Sequence, residues 1–414
     1  MRSGRSGEQE ATEPAASPDE QPSRAAVLAN PAAAVAGLIA VVVAYAGPLA
    51  VVFQAAGAAG LRPAALESWV WAVSIGSGVT GAVLSWAYRI PVVMAWSTPG
   101  AALLAVALDK YTFAEAVGAC LVAAALTVLV GATGLFGALM RWIPPTVASA
   151  VLAGILLKFG FGLFLAADRN PWLVGLMLAA YVGCRRFASR WAVAAALLTG
   201  CAHALVTGRF RGGSFDLALA APQFTAPDFS LGAVTGLALP LFLVTMASQN
   251  APGIAVLRAA GYRPDADRLV LASGIASAVL APVGCHALNL GAVTAAICTG
   301  PEADARPERR WAAGVYCGVF YLIAGALGTA VVGLFTALPA ALVAAIAGIA
   351  LLGALGGALA SATESPAHRD SALVALLLTA SGVELFGIGS TFWGLLLGTA
   401  VHLATVRRAP APGS

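Results

Sequence analysis

The sequence predicts an all-α polytopic membrane protein whose fourteen transmembrane segments form two inverted seven-segment repeats. Three observations carry that reading. Of 414 residues, 60% are hydrophobic and 10% charged, with a mean hydropathy of +0.87. A soluble domain carries about 25% charged residues, so this chain cannot cover a water-facing surface. The apolar residues come in runs of roughly twenty, the length that crosses about 30 Å of hydrocarbon. Finally, three short motifs recur in order at offsets of 201, 196 and 194 residues.

Residues 1–30 hold Arg, Glu, Asp, Pro and Ser without the apolar stretch of a signal peptide, and read as a disordered cytoplasmic arm. Hydropathy with Pro, Gly and charge punctuation then places segments at 31–56, 67–88, 91–109, 113–140, 144–166, 170–184 and 189–207, the first repeat (31–207). The second repeat (229–407) holds segments at 229–257, 267–281, 283–300, 309–336, 339–360, 371–385 and 387–406. With both termini inside, seventeen of the 23 Lys and Arg residues fall on the cytoplasmic side and five outside, with Lys158 inside a span. That asymmetry is what the positive-inside rule requires of a multi-pass protein of the cell (inner) membrane.

The repeat is visible as Ala58-Ala59-Gly60-Leu61-Arg62-Pro63 against Ala259-Ala260-Gly261-Tyr262-Arg263-Pro264. Gly78–Leu84 matches Gly274–Leu280, and Pro145–Leu157 matches Pro339–Leu351. Seven spans is an odd number, so the second copy lies upside down. Inverted repeats place a substrate at the midplane, on broken helices, which separates a transporter from a membrane enzyme or receptor.

Segments three and ten have the form of such broken helices. Segment three runs from Pro91 through Trp96-Ser97-Thr98-Pro99-Gly100 into an apolar stretch; segment ten runs from Pro282 through His286 and Asn289-Leu290-Gly291. In each, a short extended stretch precedes a cap, Ser97 or Thr98 in one and Asn289 in the other, then a half-helix of about eleven residues, or about 16 Å. Thr98-Pro99 has the pattern of a cap followed by Pro at N1. Two helix N-termini aimed at one midplane point offer unpaired N–H groups and partial positive charge to an anion. Gln249 and Asn250, before Pro252-Gly253 in segment eight, are polar groups in hydrocarbon that need partners or a substrate, as is Tyr45 in segment one. Lys158 either meets a carboxylate or snorkels outward. His286 and Glu384 are the candidates for proton coupling.

No H-E-x-x-H, G-x-S-x-G, Walker A or G-x-G-x-x-G motif is present, and the six cysteines show no C-x-x-C spacing. The expectation is therefore no enzyme, no cofactor and no metal, with transport driven by gradients. A net charge of +4 points to no nucleic-acid partner.

Asn30-Pro31, Trp96-Ser97-Thr98-Pro99-Gly100, Ser248-Gln249-Asn250-Ala251-Pro252-Gly253 and Gly387-Ile388-Gly389-Ser390 before Phe392-Trp393-Gly394 resemble the benzoate/proton symporter (BenE) family over about residues 28–406. The resemblance implies the architecture shared with uracil/xanthine permeases and sulfate-type anion transporters. There, segments 1–4 and 8–11 form a substrate-holding core, and segments 5–7 and 12–14 form a gate. It implies that Thr98, Gln249, Asn250 and Asn289 are core-site residues and that Lys158 belongs to the gate. The full candidate set is Tyr45, Ser97, Thr98, Pro99, Gly100, Lys158, Gln249, Asn250, Asn289, Leu290 and Gly291. The permeases tend to carry glutamates in segments eight and ten, where this chain has Gln249/Asn250 and His286/Asn289; that departure suits an anion better than a nucleobase. The expected function is proton-coupled uptake of benzoate or a similar aromatic carboxylate. Its partners are a small organic anion, a proton, the lipid bilayer and, by analogy with related folds, a second copy in a homodimer. The alternatives are a passive anion channel and a symporter for another small anion.

Overall fold

A computed structural model describes residues 23–142, 144–188, 191–210, 218–383, 385 and 390–405. The chain is a helical integral membrane protein. Among the described residues, seven helices are long and apolar enough to cross a bilayer, or eight if the bent pair Pro307–Ala326 and Gly328–Ala337, at 69°, is one span. The other predicted segments are shorter helices: Thr98–Ala107, Pro171–Phe187, Ala192–Val206, Ala292–Thr299, Arg369–Ser381 and Ser390–Thr405.

Proline sets most of the starts. Pro31, Pro48, Pro63, Pro145 and Pro171 each open a helix at a position whose N–H would be unpaired anyway. Local chemistry also corrects several predicted bounds. Segment two begins at Pro63 rather than residue 67. Segment one breaks at Gly47, where Pro48 restarts the helix. Segment four was expected to run to residue 140, but it stops at Thr133 because Gly134 turns left-handed (φ +71°), and Phe136–Trp142 is a separate short helix. Gly382 (φ +69°) likewise ends segment thirteen at Ser381 rather than residue 385.

Segment eight is one long helix, Leu231–Ala259, with two wide π-turns at Val234–Ala238 and Met246–Asn250. Each wide turn precedes a proline inside the helix, Pro240 and Pro252. A proline ring pushes against the carbonyl four residues back, Gly236 and Ser248 here, and an expanded turn relieves the clash.

Segment two packs on eleven, four on nine, five on twelve, six on seven and thirteen on fourteen. Shifting every number by seven turns this list into itself. The repeated glycines mark the crossings. A Cβ at Gly78 would lie 2.7 Å from the carbonyl oxygen of Gly318, and one at Gly274 would lie 2.8 Å from the amide of Val128. The later pair, Gly154 and Gly348, meets Thr379 and Leu163 at comparable range. Residues 218–230 form an extended strap over the end of the bundle between segments seven and eight. Its backbone bonds reach Ala326 from Ala220, Pro282 from Thr225 and Ala114 from Asp228, so one strap ties segments eleven and four to the junction of segments nine and ten.

Candidate functional site

The two broken segments meet. Met94–Trp96 (β1) and Leu288–Leu290 (β2) pair antiparallel, with Met94 opposite Leu290, Ala95 opposite Asn289 and Trp96 opposite Leu288. Two further bonds extend the ladder, from Ser97 N to Ala287 O at 3.0 Å and from Gly291 N to Val93 O at 2.9 Å. Each strand leads into a half-helix, Thr98–Ala107 and Ala292–Thr299. These are ten and eight residues, about 15 and 12 Å at 1.5 Å per residue, so both are shorter than the expected eleven. The antiparallel pair fixes both helix starts beside the same short sheet.

The caps differ from the expectation. Ser97 alone caps the first half-helix, its Oγ accepting from Gly100 N at 3.0 Å, while Thr98 is the first helical residue. Asn289 is not a cap at all. It lies inside β2, and the second half-helix starts at Gly291 with no side-chain cap. The first-turn amides of Ala292–Thr299 therefore lack a side-chain acceptor, the state in which a helix start attracts an anion.

Segment eight holds both broken segments through one polar contact each. Thr245 Oγ1 lies 3.0 Å from Ser97 Oγ, and Asn250 Oδ1 accepts from Leu290 N at 3.0 Å. Asn250 thus supplies the acceptor that a third strand would offer, and its amide nitrogen faces Met246 Sδ at 3.6 Å. It is buried and committed to β2, which makes it a positioning residue rather than the substrate contact its sequence position indicated. Gln249 is half-buried and has no hydrogen-bond partner among the described residues.

Asn289 is the odd member. It is fully buried, yet neither its amide nitrogen nor its oxygen finds a partner among the described residues. Ala95, opposite it in register and on the same face, is the one strand residue that keeps some exposure. Thr98, Ala292 and Val293, at the tips of the two half-helices, are also accessible, Val293 at 67%. Tyr45 is half-buried and lies beside β1. Its hydroxyl bonds Ser74, and its ring meets Trp96 edge-on at 5.3 Å. Trp96 also contacts Tyr321 at 5.8 Å, and both the indole N–H and the Tyr321 hydroxyl are buried without partners among the described residues. Sequence reasoning missed Trp96, Tyr321 and Thr245. Trp96 stood inside the quoted motif, whereas Tyr321 carries no local signal beyond a phenol in an apolar run.

His286 is a strut. Its Nδ1 accepts from Trp69 Nε1 at 2.9 Å, which fixes the proton on Nε2, donated to Ser97 O at 2.9 Å. A second ring proton would face the indole N–H, so charging His286 requires that contact to open. Lys158 is not brought to the strand pair. It is exposed on segment five and packs beside Gly382, in a cleft of about 80 Å³ with Asp109 and Lys110 at the far end of the first half-helix. Glu384 and Gly387–Gly389 lie outside the described residues.

Pro99, Gly100, Leu290 and Gly291 are all buried in the wall of the site. Bulk at either glycine would crowd neighbouring side chains. A Cβ at Gly100 would stand 2.7 Å from Leu241 and 2.9 Å from the Ser97 hydroxyl, and one at Gly291 would stand 2.3 Å from Thr294 Oγ1. Both changes press on the side chains at the helix starts, Leu241 and the Ser97 cap in one and the Thr294 hydroxyl in the other.

A separate cavity of about 220 Å³ opens between segments five and eight, lined by Pro145, Ala148, Ser149, Leu152, Ala247 and Ser248 among others.

Residues 27–404 match the family described as Benzoate membrane transport protein. The chain is 44% identical over 373 residues to the inner membrane protein YdcO of Escherichia coli, covering 90% of this chain and 95% of that protein. It is 40% identical over 375 residues to the benzoate membrane transport protein of Acinetobacter baylyi, covering 91% and 95%. Among solved structures it resembles the transmembrane domain of a cyanobacterium bicarbonate transporter, BicA, with a TM-score of 0.57 at 16% identity over 91% of this chain and 97% of that one. It also resembles SLC26A9, with a TM-score of 0.58 at 13% identity over 90% and 65%. At such identities the likeness is one of fold. The match along nearly the whole chain and the two close relatives make this chain a member of the benzoate membrane transport protein (BenE) family.

Proposed function

We propose that the protein is a secondary active transporter that takes up benzoate or a similar aromatic carboxylate together with a proton. One observation carries the reading: the β1–β2 pair sets two half-helix starts around the unpartnered side chain of Asn289. Fixed N–H donors and a buried amide stabilise a carboxylate without a permanent cation. Such a site can cross the membrane empty, as the return step of a carrier requires. The benzoate named for the A. baylyi relative supports the choice of substrate.

In this reading the fourteen segments form two inverted repeats, with a core of segments 1–4 and 8–11 and a gate of segments 5–7 and 12–14. The packing list that survives a shift of seven supports it. Tyr45, Thr98, Gln249 and Asn289 face the substrate, while Ser97, Pro99, Gly100, Asn250, Leu290 and Gly291 shape the wall. Lys158 belongs to the gate at the outer mouth, where its charge draws anions in or its stem snorkels. The coupling candidates are His286, at the cost of its Trp69 contact, and Glu384.

Purified protein in proteoliposomes is expected to concentrate radiolabelled benzoate under an inward proton gradient and to lose the accumulation when a protonophore is added. Uptake that equilibrates but never concentrates would make the protein a channel. Both termini are assigned to the cytoplasm on the charge asymmetry. A fluorescent or phosphatase reporter fused after the C-terminal helix should read inside; an outside signal overturns the assignment of both termini to the cytoplasm.

A further inference from the structure

The cavity between segments five and eight has a size and lining that the anion site does not explain. It holds about 220 Å³ and is contributed by Ala148, Ser149 and Leu152 on one side and Ala247, Ser248 and Ala251 on the other. An apolar cavity of about 150 Å³ is enough to take benzene, so this one has room for a single substituted aromatic ring. Its walls are mostly methyl groups. Of its two hydroxyls, Ser248 already donates to Val244 O at 2.6 Å, whereas Ser149 has no partner among the described residues.

The cavity also adjoins the chemistry. Ala247, Ser248 and Ala251 enclose Gln249 and Asn250 in sequence, at the wide turn where Asn250 reaches Leu290 N. The turn exists because Pro252 forbids a regular one, so the same distortion that places Asn250 against β2 shapes the cavity wall. On the opposite side, Leu152 is the bulkiest lining residue of segment five.

We propose that this cavity is the ring pocket of the transporter: it receives the aromatic ring of a single-ring monocarboxylate, and Leu152 with Ala247 sets the largest ring admitted. The inference rests on the aromatic-carboxylate reading above. In it, the half-helices and Asn289 hold the charge, while segments five and eight measure the hydrocarbon. Because the two walls belong to different repeats, any relative movement of segments five and eight opens or closes the ring pocket.

The test is competition against radiolabelled benzoate uptake by the full-length protein in proteoliposomes, with unlabelled benzoate, 4-ethylbenzoate and 2-naphthoate. Wild-type protein should prefer benzoate to 2-naphthoate by at least tenfold. Leu152→Ala, which removes three carbons from the wall, should narrow that preference at least tenfold by admitting the larger acids. Ala247→Leu should weaken benzoate at least tenfold. Stronger competition by the larger acids in Leu152→Ala cannot arise from misfolding, so it decides the matter even if Ala247→Leu fails to express. If wild-type protein accumulates benzoate but Leu152→Ala leaves the ring-size preference unchanged, the ring lies elsewhere and this inference falls alone. If wild-type protein takes up no radiolabelled benzoate, the aromatic-carboxylate reading falls and the ring pocket with it.

Discussion

Asn289→Leu should yield a protein that is more stable when empty and unable to hold its anion tightly. The residue is fully buried and its amide finds no acceptor or donor among the described residues. A buried polar group without a partner costs about 1–3 kcal/mol, and a leucine of similar volume removes that penalty without leaving a cavity. The same change deletes a hydrogen bond to a charged ligand, worth about 1.5–3 kcal/mol, or roughly ten- to a hundredfold in affinity. The opposite signs separate a binding residue from a structural one. A thermal melt in detergent with and without benzoate reads both: the empty variant should melt higher than wild type and gain little from ligand. A variant that melts lower and still transports normally would make Asn289 an ordinary packing residue. Leucine is preferred to alanine here because alanine would add a cavity to the lost amide.

Gly318→Val is expected to prevent the core from assembling. Segments two and eleven cross where Gly78 and Gly318 meet backbone to backbone. A Cβ on Gly318 would stand 2.6 Å from the Gly78 carbonyl oxygen and 2.7 Å from the Ala82 methyl. Neither neighbour is the flexible end of a side chain, so the helices must separate, and overpacking of this kind costs about 1–3 kcal/mol or more. Without a hydrophobic drive between helices in lipid, close small-residue contacts are a main source of their association. Separation at this crossing also moves Trp311–Ala326, which carries Tyr321 beside Trp96. Loss of the monodisperse peak in size-exclusion chromatography, with a melt many degrees lower, is the anticipated result. A Gly318→Val protein with the wild-type melt and transport rate would show that the crossing tolerates a wider spacing. Gly318→Ala should be intermediate, since its one methyl makes the same contact with less bulk.

Local sequence determined a large part of this protein. Apolar runs fixed the membrane class, and prolines at Pro31, Pro48, Pro63, Pro145 and Pro171 fixed helix starts, because a missing N–H and a preset φ act within one turn. The extended-then-helical character of segments three and ten was likewise legible, as was the concentration of polar residues at Gln249–Asn250 and Asn289. The family followed from the motifs that surround them. Where local rules were misjudged, the cause was local too: Gly134 and Gly382 end helices that hydropathy alone would prolong, since a positive φ is free only to glycine.

Tertiary structure decided which of those residues does what. Ser97 meets Thr245 across 148 positions, His286 meets Trp69 across 217, and Asn250 reaches Leu290 N across 40. No periodicity records such pairings, because they depend on how segments far apart in the sequence pack against one another. Thus Asn289, by spacing a helix cap, became an unpartnered amide inside a strand, and Asn250, by composition a ligand contact, became the third-strand acceptor for β2. Lys158 shows the same division. Its charge within an apolar span was evident from the sequence, but only the course of segment five placed it beside Gly382, at the far end of the half-helix from the strands. Burial and hydrogen-bond satisfaction are properties of the packed whole, and they assigned the roles that residue type left open.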